Sequence, residues 1–161
     1  MGFIEVPALN RKAPSTSFKI QGKQLSVDLL TPMTGKTDTR PVHISSLNTF
    51  AEPVRFLDYL LEDTQPAVIV ARAGILVNVP APARYALHKL VTAERRPAAM
   101  HLKANKDMNQ ATQLLSFLLE NRAGDITSAV KATKIMPEKF QQQLKNSINK
   151  LPAQLSKHIN L

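Results

Sequence analysis

The sequence predicts an α+β protein, with an antiparallel β portion carrying one short helix over residues 1–80 and a helical subdomain over 81–161. Three observations carry that expectation. Between 25 and 30, Leu25, Val27 and Leu29 alternate with Ser26, Asp28 and Leu30 in the period-two pattern of a half-buried strand. From Pro82 onward the apolar residues switch to the i, i+3, i+4 spacing of a helix stripe, as in Leu87, Leu90 and Val91. Glycine and proline punctuate the joints between these patterns.

Taken in order, Phe3-Ile4-Glu5-Val6 reads as a short strand halted by Pro7, and 11–14 as a basic loop. A strand over 17–20 and the strand over 25–30 flank Gln21-Gly22-Lys23, which makes a β-hairpin. Residues 31–40, TPMTGKTDTR, form a polar loop. Its Gly35-Lys36-Thr37 lacks the upstream glycine of a phosphate-binding loop and is not read as one. Val42 to Ile44 reads as a brief strand and 45–48 as a turn. Pro53 is expected to open a helix with Val54, Leu57, Leu60 and Leu61 as its stripe, ending near Asp63. Val68-Ile69-Val70 and Ile75-Leu76-Val77 then flank Ala73-Gly74 as a second hairpin.

A helix starts near Pro82, because fixed φ and a missing N–H suit a first turn, and Pro97 ends its pattern. Arg84, His88 and Arg95 share a face flanking its apolar stripe. A second helix from about Ala98 carries Ala104, Met108, Ala111, Leu115 and Leu118, with Lys103, Asp107 and Gln110 along a neighbouring face. Gly124 is expected to stop it and Asp125 to cap the next, whose core residues are Ile126, Ala129 and Val130. Pro137 begins another helix, with Phe140, Leu144, Ile148 and Leu151 at i, i+4, i+8 and i+11, and Pro152 ends or kinks it.

Charge is unevenly placed along the 161 residues: 1–81 is almost balanced, whereas 82–161 holds thirteen Lys and Arg against five Asp and Glu. Such a field favours phosphate-rich partners, although a basic helical surface is as often simply a solvated one. No run of about 18 apolar residues spans a membrane, and the N-terminus has no apolar signal core, so the expected location is cytoplasmic with no membrane partner. The absence of cysteine excludes disulfides, thiolate zinc sites and a cysteine nucleophile. Histidines at 43, 88, 101 and 158 have no ligand spacing, and no serine sits in a G-x-S-x-G elbow.

The run P-x-R-Y-A-L-H-K-L-V, an arginine pair, and then K-x-x-K-D-x-x-Q-A-x-x-L-L resembles the helical half of a bacterial nucleotidyltransferase-like family. More loosely it is similar to the nucleotidyltransferase-fold toxins of abortive-infection systems. Upstream, F-I-E-V-P, S-T-S-F-K-I and L-S-V-D-L-L-T-P resemble the later strands of that family's catalytic sheet. The resemblance implies that Asp28 is a metal-binding carboxylate for Mg²⁺, with Lys89 and Asp107 completing a catalytic nucleotide site expected in a cleft between the β and helical parts. It places Arg84, His88, Lys103 and Lys106 as nucleotide-binding residues. The implied partners are a nucleoside triphosphate and an RNA or tRNA acceptor.

The residues read alone leave alternatives open. Asp28 is also an ordinary solvent-facing strand residue, His88 and Lys89 also surface positions, and Lys103 with Asp107 also an intrahelical ion pair. The family's Gly-Ser turn and Asp-x-Asp pair have no counterpart here. The expectation is therefore a C-terminal portion, inactive alone, that either forms a homodimer or works with a missing N-terminal half. The competing expectation is a non-catalytic basic module that binds RNA or a partner protein.

Overall fold

Short strands with turn residues between them pair where the turn chemistry permits. β1 (Phe3–Val6) lies antiparallel to β2 (Ser17–Ile20), which lies antiparallel to β3 (Ser26–Asp28), giving a three-stranded sheet. Gly22, at φ +76°, supplies the left-handed residue the β2–β3 reversal needs. This is a computed structural model that describes residues 2–8, 10, 12–35, 39–70 and 73–159. Arg11 of the expected basic loop, and Lys36 and Thr37 of the Gly-Lys-Thr triplet, lie outside the described residues.

The strand expected over 25–30 divides at Leu29 into β3 and β4 (Leu30–Pro32). β4 joins a second sheet of order β4-β6-β5, with β5 at Val42–Ile44 and β6 at Thr49–Val54. One pairing departs from the antiparallel expectation: β4 runs parallel to β6, registering Leu30 with Glu52 and Pro32 with Val54. The helix expected from Pro53 is also corrected, because Pro53 lies inside β6 and the helix α1 covers only Leu57–Leu61. Glu52 N–H donates to Leu29 and Val54 C=O accepts from Met33, so the intervening Pro53 nitrogen faces away from β4. On that other side β5 pairing has ended at Ala51, and the missing N–H costs no ladder bond.

The chain divides into two compact units, Met1–Asp58 and Tyr59–Leu161. Among the described residues of the first, only Ala51, Pro53 and Leu57 are buried. The second begins with the hairpin of β7 (Thr64–Ile69) and β8 (Ile75–Pro80), which therefore groups with the helices that follow. α2 (Pro82–Arg95) is their centre, packing against α3 (His101–Asn121), α4 (Ala123–Thr133) and α5 (Glu138–Ile148). A short α6 (Ala153–Ser156) follows Pro152.

The expected stripes are the core: Leu87, Leu90 and Val91 of α2, Ala111, Leu115 and Leu118 of α3, Ile126, Ala129 and Val130 of α4, and Phe140, Leu144 and Ile148 of α5 are all buried. Tyr59 anchors the start of the unit, its hydroxyl donating to Ala129 C=O at 3.0 Å and its ring tilted against Phe140 at 5.1 Å. Gly124 does not stop α3. The break is at Arg122, with φ −150° and ψ 48°, and Gly124 is helical within α4. Asp125 makes no capping hydrogen bond; it sits in the first turn of α4 and pairs with Arg122 at 2.6 Å, where the helix dipole also favours an anion.

Candidate functional site

α2 and α3 pack against each other, which brings Lys89 and Arg96 within bonding distance of Asp107. Asp107 is 3 % exposed, the one buried acid among the described residues. Both of its oxygens are taken: Lys89 Nζ donates to Oδ1 at 2.7 Å, and Arg96 Nε donates to Oδ2 at 2.7 Å with its terminal nitrogen at 2.6 Å. Two cations around one carboxylate leave a net positive charge at a place still partly open to solvent. Lys89 also lies over the Tyr85 ring, 5.4 Å from its centroid.

The titration behaviour follows from this arrangement. Burial by itself pushes the Asp107 carboxyl up, but hydrogen bonds from Lys89 and Arg96 outweigh it and hold the group below its usual range. Burial pulls Lys89 down, and its hydrogen bond to Asp107, with help from Tyr85, leaves it raised. Lys89 and Asp107 are both ionised throughout the neutral range.

Of the residues singled out from the sequence, Lys89 and Asp107 are thus brought together, whereas the intrahelical Lys103–Asp107 pairing is replaced by the contacts to Lys89 and Arg96. Lys103 and Lys106 are exposed on the first turns of α3, and His88 is half-buried on α2. Arg84 is committed elsewhere. Its guanidinium donates to Tyr59 C=O at 2.8 Å and to Glu62 at 2.6 Å, lies 3.8 Å from Asp63, and sits 5.0 Å above the Tyr59 ring. Asp28 belongs to the first unit, exposed at the end of β3, where Ser17 Oγ donates to Oδ1 at 2.6 Å.

Arg96 belongs to the arginine pair of the resembling motif, which assigns it no role. The signal for it is the Arg96-Pro97 dipeptide: proline drives the residue before it out of the helical region, and Arg96 is extended at φ −67°, ψ 135°. That swing off the end of α2 carries its guanidinium to α3. Among the described residues no three of His, Cys, Asp and Glu gather closely enough to hold a metal. Asp28 offers one carboxylate oxygen beyond the one Ser17 engages, and Mg²⁺ is commonly held by one or two carboxylates together with substrate phosphates. A single-ion role therefore fits the donor set, and a two-ion site does not.

Comparison with curated proteins finds no match, and comparison with solved structures finds none either. No helix among the described residues is long and apolar enough to cross a membrane. A family model described as nucleotidyltransferase matches residues 1–134, which covers β1 through α4 and so both Asp28 and the Lys89–Asp107–Arg96 cluster. The chain belongs to that nucleotidyltransferase family.

Proposed function

We propose that this nucleotidyltransferase-family chain binds a nucleoside triphosphate, with Lys89 and Arg96 turned to its phosphates. The observation that carries the reading is Asp107, which fixes two cations from separate segments on one carboxylate and leaves a positive surplus beside solvent. Preorganised cations are what phosphate binding and phosphoryl transfer need, since the chemistry there is mostly positioning and charge neutralisation. Asp107 acts through the cations it holds and is a positioning residue. Lys103 and Lys106 extend the positive field along α3, and His88 flanks it on α2. A phosphate reaching Arg84 has to displace Glu62 first.

Asp28, in the first unit, is the residue proposed to hold Mg²⁺, a hard cation that would supply charge neutralisation where it is bound. Because the family's Gly-Ser turn and Asp-x-Asp pair have no counterpart in the sequence, the chain is proposed to bind substrate without turning it over alone. Titration calorimetry with each nucleoside triphosphate, with and without Mg²⁺, tests this. Arg96→Gln is expected to weaken nucleotide binding about tenfold by loss of one charged contact, and Asp28→Asn to weaken the binding of Mg²⁺ itself. Flat titrations for all four nucleotides overturn the reading, and transfer of a labelled nucleotide by the isolated chain overturns its inactivity.

The exposed lysines of α3 to α5 favour a second reading, in which the chain holds RNA. Binding should then fall with salt at a log–log slope of about −0.7 per phosphate neutralised. A curve flat in salt removes it.

A further inference from the structure

Along the seam between α2 and α3 a shallow, open groove of about 340 Å³ is lined by Tyr85, Gln110, Gln113, Leu114 and Phe117. Asp107, Gln110, Leu114 and Phe117 succeed one another at i, i+3, i+7 and i+10 along one side of α3, so the groove lies on the same side of that helix as the cationic cluster. Tyr85 stands one turn before Lys89 on α2, about 5–6 Å along the axis. The Lys89 ammonium over the Tyr85 ring marks the junction of the two regions.

The chemistry of the groove is specific. Phe117 is 57 % exposed, a large ring left in water on a helix whose other face supplies the core. Gln110 and Gln113 are exposed, and their amides have no hydrogen-bond partner among the described residues. Two aromatic side chains and a leucine offer stacking surface, and two amides offer donor and acceptor pairs side by side. Cations lie at one end only. A flat heteroaromatic ring with a hydrogen-bonding edge, joined through a sugar to phosphates, matches that sequence of apolar, amide and cationic features. A purely aliphatic chain uses neither the amides nor the cations.

We propose that this groove receives the base of the nucleotide whose phosphates meet Lys89 and Arg96, with Phe117 and Tyr85 as the stacking surfaces and Gln110 and Gln113 at the base edge. The proposal rests on the phosphate reading given above and adds to it a place where the four nucleotides are told apart. Stacking on one aromatic side chain is worth on the order of tenfold in affinity.

The test compares ATP, GTP, CTP and UTP with inorganic tripolyphosphate on the whole chain by calorimetry. Emission is followed in parallel, because the chain has two tyrosines and no tryptophan. At least one nucleotide is expected to bind about tenfold tighter than tripolyphosphate and to change tyrosine emission where tripolyphosphate does not. Phe117→Ala, at an exposed position that leaves the core intact, should bring the nucleotide down to the tripolyphosphate level without changing tripolyphosphate itself. Gln113→Leu should narrow the differences among the four nucleotides. Arg96→Gln should weaken nucleotide and tripolyphosphate in parallel. Equal affinity for all five ligands, or a nucleotide preference untouched by Phe117→Ala, overturns the base site while the phosphate site stands. No binding by any of them overturns both.

Discussion

Lys89 Nζ and Asp107 Oδ1 lie 2.7 Å apart across two helices and 18 positions of sequence, and Arg96 closes the same carboxylate from the turn between them. One acid therefore ties the body of α2, the end of α2 and the second turn of α3. The three partners are not equivalent. Losing either cation leaves Asp107 with the other, whereas losing the carboxylate leaves two positive charges facing each other. Asp107→Asn is expected to cost about 2–3 kcal/mol, discounted from a fully buried pair because both cations are partly exposed. Lys89→Met or Arg96→Gln should each cost about 1 kcal/mol. Urea unfolding of the three variants at pH 7 gives the order directly.

The same cluster sets an acid limit. The folded state holds Asp107 below its usual value, so its contribution is complete above about pH 4, the unfolded value, and disappears as pH falls through the folded one. Lys89 is raised, so its contribution is complete below its ordinary alkaline value and lost only as pH climbs past it. The gap in stability between wild type and Asp107→Asn should accordingly close on acidification and persist through neutrality. A gap that stays constant between about pH 6 and pH 2 shows that the carboxylate is not what the cations require.

Tyr59 offers an optical check on the helical unit. Burial raises its phenol well above the ordinary tyrosine range, with Arg84 opposing and Glu62 adding to the shift. In a Tyr85→Phe variant, where Tyr59 is the remaining tyrosine, absorbance near 295 nm should stay low past about pH 10 and rise only as the fold opens. Tyr59→Phe should cost about 1 kcal/mol, the net worth of its hydrogen bond to Ala129.

The segment beyond the family match is structural. Residues 135–161 contribute Phe140, Leu144, Ile148, Leu151, Leu155 and Ile159, all buried, and Ser147 Oγ donates to Leu90 C=O of α2 at 2.9 Å. Six such side chains at about 1.5–3 kcal/mol each are comparable to or exceed the whole net stability of an ordinary domain, about 5–15 kcal/mol. A chain ending at residue 134 should lose cooperative unfolding by circular dichroism. Retention of a sharp thermal transition shows instead that α2 to α4 suffice.

At the tip of the second hairpin Gly74 has φ +76°, and a Cβ there meets Val68 Cγ1 at 3.3 Å. Gly74→Ala combines a left-handed strain with a tight contact, and about 1–2 kcal/mol of local destabilisation follows. Faster amide exchange across Thr64–Ile69 and Ile75–Pro80, with α2 to α5 unchanged, is the expected readout.

Periodicity made the helical half legible. Pro82, Pro97, Pro137 and Pro152 mark its joints, and every stripe named from α2 and α5 is in the core. The β half was legible where pairing is local, as in both hairpins. It was not where pairing is distant: the parallel contact of β4 with β6 skips β5, and no residue near Leu30 announces a partner at Glu52. Pro53 misled for a related reason, since proline opens helices often and sits in strands only where its nitrogen faces no neighbour, a fact of topology. In the candidate site, Lys89 and Asp107 stand out in sequence. Arg96 does not, because its role depends on the backbone leaving the helix, and helical spacing points its neighbour Arg95 along the flank instead.

The β7–β8 hairpin holds no charged residue in either strand, and Val68, Ile69, Val70, Ile75 and Leu76 stand in water on a chain of net charge +9. Mutual repulsion keeps such tips apart when ions are scarce, and screening within about 10 Å at 0.1 M salt lets them meet. Added salt is therefore expected to make this protein stickier toward itself. Dilute buffer is the condition under which it is expected to stay dispersed, and light scattering across a salt series checks this.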